Sequence, residues 1–139
     1  MQGYFRCKAC GKRASDDLTI HSSKDPTVAL PECRDQQPIC ERGVAYKSYE
    51  PLDRAPSPHN PAPLDFIPQY WMNPGDVAAF AKHSKKRGRL GGCCGIAGMS
   101  GPNMICSGCK TEIGTKQSDC FTPLIFVPHP DNMEFIRQD

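Results

Sequence analysis

Apolar positions along the chain cluster in short runs separated by polar, turn-rich stretches. Residues 4–7 (Tyr-Phe-Arg-Cys) and 17–21 (Asp-Leu-Thr-Ile-His) alternate apolar and polar side chains and predict two short strands around a tight turn. Residues 22–41 are polar, and a third strand is expected at about 43–49. Residues 51–74 hold Pro51, Pro56, Pro58, Pro61, Pro63, Pro68 and Pro74, a density that predicts an extended, polyproline-like excursion without regular strand or helix. Its second half carries Leu64, Phe66, Ile67, Tyr70 and Trp71, so it is expected to pack on the domain. Asn73-Pro74-Gly75-Asp76 reads as a helix start, with a capping Asn, Pro in the first turn and an acidic residue near the positive end of the dipole. Val77, Phe80 and Ala81 continue at helical spacing, and Gly88 can terminate, so a short helix is predicted at about 74–87. A last strand is expected at about 119–127, apolar on both faces and interrupted by Pro123, and a loose tail from about 128.

Composition turns this pattern into a mainly β, small α+β domain that needs reinforcement. Only 38% of the 139 residues are apolar, and 12 glycines and 14 prolines commit much of the backbone to turns. A core that thin is normally stapled by disulfides or metal. The length suits one domain over residues 1–139. A formal charge of +2 is too mild to imply nucleic acid or membrane by itself. No stretch approaches the ~20 apolar residues of a membrane span, and the first residues carry neither a basic region nor an apolar one, so no export signal is read and a cytoplasmic location is expected. Thiols stay reduced there, and nine cysteines cannot all pair within one chain, which points to metal ligation.

Cys7-Lys8-Ala9-Cys10 and Cys106-Ser107-Gly108-Cys109 are C-x2-C units, each able to aim two thiolates at one ion. Together they supply four sulfurs, enough for a closed, structural zinc site; zinc is preferred to iron because nothing else in the sequence speaks for redox chemistry. Gly11 follows the first unit and permits a left-handed turn, whereas Lys110 stands at the matching position of the second.

Phe5-Arg6-Cys7-Lys8-Ala9-Cys10-Gly11 and Ile105-Cys106-Ser107-Gly108-Cys109-Lys110-Thr111-Glu112-Ile113-Gly114 resemble the paired zinc knuckles of β-tent proteins, among them cereblon-type thalidomide-binding domains and B-type methionine sulfoxide reductases. The resemblance implies antiparallel sheets meeting near a zinc ion held by Cys7, Cys10, Cys106 and Cys109, in a β-tent or zinc-ribbon-like arrangement, with a ligand pocket on one sheet. Such a pocket would be lined here by Phe66, Tyr70, Trp71 and Phe121. The tryptophan cage of the first family would need three tryptophans, and this chain has Trp71 alone. The Arg-x-Cys-x-Asn signature of the second is replaced by Ser118-Asp119-Cys120-Phe121-Thr122. The segment from Arg89-Leu90-Gly91-Gly92-Cys93-Cys94-Gly95 to Ser118-Asp119-Cys120 also resembles a group of bacterial cysteine-rich proteins to which no function is attached.

The other cysteines admit three readings. Cys33, Cys40, Cys93 and Cys94 could form a second metal or thiol cluster, with His21, His59, His83 or His129 as further ligands, or Cys93 or Cys94 could replace a knuckle cysteine. Because neighbouring side chains point apart, Cys93 and Cys94 are not expected on one ion. They could equally be inert, buried thiols. Cys120 could be a reactive thiol with Cys93 or Cys94 as its resolving partner. Lys82, Lys85, Lys86, Arg87 and Arg89 form a basic segment that either contacts nucleic acid or simply meets the negative end of the predicted helix. The leading expectation is a non-enzymatic zinc module that binds a small molecule or a protein. A thiol oxidoreductase using Cys120 and a nucleic-acid binder using residues 82–89 are the alternatives.

Overall fold

The computed structural model describes residues 1–52 and 64–139. The first half of the proline-rich excursion, with His59, lies outside the described residues.

The described residues form nine strands: β1 Gln2–Cys7, β2 Leu18–Ser22, β3 Val44–Ser48, β4 Gln69–Met72, β5 Ala81–His83, β6 Met104–Cys106, β7 Glu112–Gln117, β8 Ile125–Pro128 and β9 Met133–Arg137. They hydrogen-bond into one sheet in the order β5-β6-β7-β8-β4-β3-β2-β1-β9. All neighbours are antiparallel except β2 and β3, which run parallel. The fold is therefore mainly β, with one turn of 3-10 helix among the described residues, at Pro74–Asp76. Among the described residues no helix is long and apolar enough to cross a membrane.

Strand periodicity divides the apolar side chains between two cores. Ala45, Met72 and Phe126 face an inner cluster with Phe5, Leu18, Met104 and Ile113. Their neighbours Tyr46, Trp71, Ile125 and Val127 face an outer cluster with Ile39, Leu52 and Leu64. Tyr46 and Trp71 are directly opposed across β3 and β4, with ring centroids 5.3 Å apart. β8 is thus apolar on both faces because both are covered, as its sequence predicts. It is shorter than expected: residues 119–122 form a turn, and Pro123 precedes the strand.

The helix expected at 74–87 does not form. Asn73 caps as predicted, its Oδ1 accepting from the Gly75 N–H at 2.8 Å. The fully buried Asp76 carboxylate, however, accepts from Arg42 Nε at 2.8 Å and the Gly43 N–H at 2.9 Å, so a long-range polar anchor takes the place of a dipole contact. After one turn the chain extends into β5, which covers the edge of β6, and the Phe80 carbonyl accepts from Ser107 N–H at 3.0 Å. Pairing of this edge outweighs the helical propensity of the segment.

Two further expectations are corrected. Pro68 does not prevent a strand immediately after it: Gln69–Met72 pairs with β3 on one side and β8 on the other. The tail is not loose, since β9 pairs with β1 over five residue pairs from Gly3↔Arg137 to Cys7↔Met133. Phe135 packs edge-on to Phe5 at 5.3 Å, and Arg6 forms an ion pair with Glu134.

Candidate metal centre and second cysteine cluster

β1 and β6 both end in a knuckle, and the two turns are built alike. The Cys7 carbonyl accepts from Gly11 N–H at 2.8 Å, and the Cys7 N–H donates to the Lys12 carbonyl at 2.9 Å. The Cys106 carbonyl accepts from Lys110 N–H at 2.9 Å, and the Cys106 N–H donates to the Thr111 carbonyl at 2.8 Å. Gly11 and Lys110 both turn left-handed, with φ of 74° and 64° respectively. The lysine thus adopts the conformation that its glycine counterpart adopts without steric cost.

Six strand spacings separate β1 from β6 in the sheet order. In a flat sheet that would be about 29 Å. The sheet curls instead, so the thiols of Cys7, Cys10, Cys106 and Cys109 all lie within 4.8 Å of one another. The cross-knuckle distances are 3.6 Å for Cys7 Sγ to Cys109 Sγ and 3.7 Å for Cys10 Sγ to Cys106 Sγ. A tetrahedral ion about 2.3 Å from each sulfur requires edges of about 3.8 Å. A disulfide would require about 2.05 Å, and none of the nine cysteines is in a disulfide. The donor set and its spacing fit a metal ion.

The site is half sunk. Cys7 and Cys106 belong to the inner core, while Cys10 and Cys109 are exposed. Burial pushes the Cys7 thiol up to about 12. Thr111, whose hydroxyl oxygen lies 3.1 Å from Cys109 Sγ, holds Cys109 down to about 6. A cation among the four sulfurs would offset the cost of ionising the buried Cys7 thiol.

A second group lies at the other end of β7. The thiols of Cys93, Cys94 and Cys120 are mutually within 4.8 Å. Sequence spacing did not anticipate that two adjacent cysteines would converge on the third. The missed residue is Asp119. Its nearly buried carboxylate accepts from the N–H groups of Cys93 at 3.1 Å, Cys94 at 2.8 Å and Cys120 at 2.8 Å. These three bonds pull it down to about 2, with Cys94 contributing most. A bend at residues 93–95 turns both cysteines the same way. The available signal was the carboxylate in Ser118-Asp119-Cys120 and the glycines around Cys93-Cys94. A Cβ on Gly92 would stand 1.9 Å from the Gly95 carbonyl oxygen, and one on Gly95 would stand 2.4 Å from that of Ser118.

Cys33 and Cys40 join neither group. Cys40 is half-buried in the outer cluster and donates to the Trp71 carbonyl at 3.5 Å, and burial pushes it up to about 11. Cys33 is exposed at the edge of a cleft. Neither cysteine group includes a histidine among the described residues. Cys120 touches Cys94, as a resolving pair would require. That contact, burial and the Asp119 carboxylate push its thiol up to about 12, the reverse of what activates a nucleophile.

The four aromatic residues do not share one pocket. Tyr70 faces Phe5 and Phe135, Trp71 and Phe66 face the outer cluster, and Phe121 is 78% exposed. Adjacent residues of a strand point to opposite faces, which separates Tyr70 from Trp71. The basic segment begins on β5 rather than on a helix. Lys86 pairs with Glu112, and Arg89 donates to the Pro102 carbonyl at 3.0 Å, while Lys82, Lys85 and Arg87 are exposed.

No protein-family model, curated protein or solved structure matches the chain.

Proposed function

We propose that Cys7, Cys10, Cys106 and Cys109 hold one structural zinc ion, and that the chain is a zinc-stapled binding module of β-tent type. The observation that carries this reading is the pair of 3.6 and 3.7 Å sulfur separations joining knuckles from distant strands. Four thiolates complete a tetrahedral sphere and leave no position for a substrate, so the ion serves the scaffold. Zinc suits four sulfurs in tetrahedral array and brings no redox chemistry.

Binding would fall to the outer face, to a small molecule or a protein segment. A cleft of about 680 Å³ opens there between Val28, Leu30, Tyr46, Tyr49, Leu52 and Trp71. It is concave and mostly apolar with a few polar groups at its margin, the general character of a ligand site.

Cobalt substitution tests the reading. Cobalt(II) in the zinc position is expected to show the intense visible bands of a tetrahedral tetrathiolate, unchanged by azide, cyanide or imidazole. A spectrum that shifts with these ligands would reveal an open position and overturn the scaffold role. An iron-coloured native protein would overturn the choice of zinc.

A further inference from the structure

The closed centre leaves the three-sulfur group unexplained. Cys109 precedes β7 and Cys120 follows it, so the strand's six residues hold the two groups about 20 Å apart. They share no cysteine. Cys93 and Cys94 are exposed and add nothing to either core, although cysteine is ordinarily among the most buried residues. The loop that carries them is nevertheless tightly built. One carboxylate fixes the backbone of all three cysteines, Ser118 N–H donates to the Ile96 carbonyl at 2.8 Å, and Ala97 N–H donates to that of Gly91 at 2.9 Å.

We propose that Cys93, Cys94 and Cys120 form a three-sulfur site for a soft, thiophilic monovalent cation of the copper(I) type. An ion about 2.3 Å from three sulfurs in a plane requires sulfur separations of about 4.0 Å, inside the 4.8 Å limit that the three thiols satisfy. No fourth histidine, cysteine or carboxylate joins the group among the described residues. A tetrahedral ion would have to complete its sphere with water, whereas three sulfurs suffice for a soft ion. Asp119 beneath the loop adds negative charge that favours a cation and disfavours an anionic ligand. Each sulfur that binds releases its proton to solvent, and no electron is transferred. Exposure of Cys93 and Cys94 leaves the bound ion open to exchange with another thiol ligand.

The test is an anaerobic titration of the reduced, zinc-loaded protein with copper(I) held by a coloured chelator. The expected result is one copper(I) per chain withdrawn from the chelator, with zinc content unchanged and a sulfur-to-copper charge-transfer band in the near ultraviolet. Cys120→Ser is expected to weaken uptake at least tenfold, and Cys33→Ser to leave it unchanged. Alkylation and peptide mapping of the unmutated protein provide a readout independent of variant folding: copper should protect Cys93, Cys94 and Cys120 and no other thiol. Failure to take copper from the chelator, uptake only at the expense of zinc, protection of different cysteines, or a second zinc that copper cannot displace would each overturn the proposal. The zinc reading of the knuckles stands or falls separately, by the cobalt spectrum.

Discussion

Lys110 marks how far the two knuckles are equivalent. Both residues after the second cysteine are left-handed, Gly11 at φ 74° and Lys110 at φ 64°. A Cβ built on Gly11 meets nothing within 4 Å, so alanine there carries a backbone penalty alone. Gly11→Ala is expected to cost about 1 kcal/mol. Lys110→Gly is expected to stabilise by about 0.5–1 kcal/mol, because strain relieved in the folded state exceeds freedom gained in the unfolded one. On the metal-loaded protein these correspond to opposite shifts of about 2–4 °C in melting temperature. A fall in melting temperature for Lys110→Gly would show that the lysine side chain contributes more than its backbone costs, and that the two turns are not energetic equivalents. The left-handed turn was legible at Gly11 from residue type. At Lys110 it was hidden, because the turn of the knuckle imposes the conformation and the side chain merely tolerates it.

Among the elements, β9 shows what local pattern cannot supply. Met133-Glu134-Phe135-Ile136-Arg137 becomes a strand because β1 offers it an edge and Gly3 offers it room. A Cβ on Gly3 would stand 2.0 Å from the Ile136 carbonyl oxygen and 2.9 Å from Phe135 Cζ. Backbone cannot give way there as a flexible side chain would. Gly3→Ala is therefore expected to cost about 2–4 kcal/mol and to accelerate amide exchange across residues 133–137 before the rest of the sheet. Unchanged exchange in that strand would mean the β1–β9 approach is looser than its five residue pairs indicate. The same physics separates what could be read in advance from what could not. β1, β2 and β3 follow from alternation within their own residues, and the four-cysteine set follows from spacing. The fate of residues 74–87 depended on Asp76 finding Arg42 and Gly43, more than 30 residues away in sequence, and on β6 needing an edge partner. The convergence of Cys93, Cys94 and Cys120 depended likewise on one carboxylate brought in after β7.

At the scale of the whole molecule, the four-cysteine centre closes the curl of the sheet. It joins β1, flanked by β9 and β2, to β6, flanked by β5 and β7. Without an ion, the same curl would hold four thiols in contact, two of them packed inside the inner core and two exposed. The free energy of binding a structural tetrathiolate ion, about 10–16 kcal/mol, matches or exceeds the net stability of an ordinary domain, about 5–15 kcal/mol. Withdrawal of the metal by a strong chelator under reducing conditions should therefore abolish cooperative unfolding and near-ultraviolet dichroism together, and stoichiometric zinc should restore both. Cys106→Ser removes a buried thiol of the proposed metal site and should leave insoluble or unfolded protein, whereas Cys33→Ser, exposed and outside both clusters, should melt as the unmutated chain does. If the chelated protein or Cys106→Ser instead stayed soluble with an unchanged melting temperature, the sheet would be holding the knuckles together rather than the knuckles the sheet. The site would then be a surface device on a self-sufficient fold.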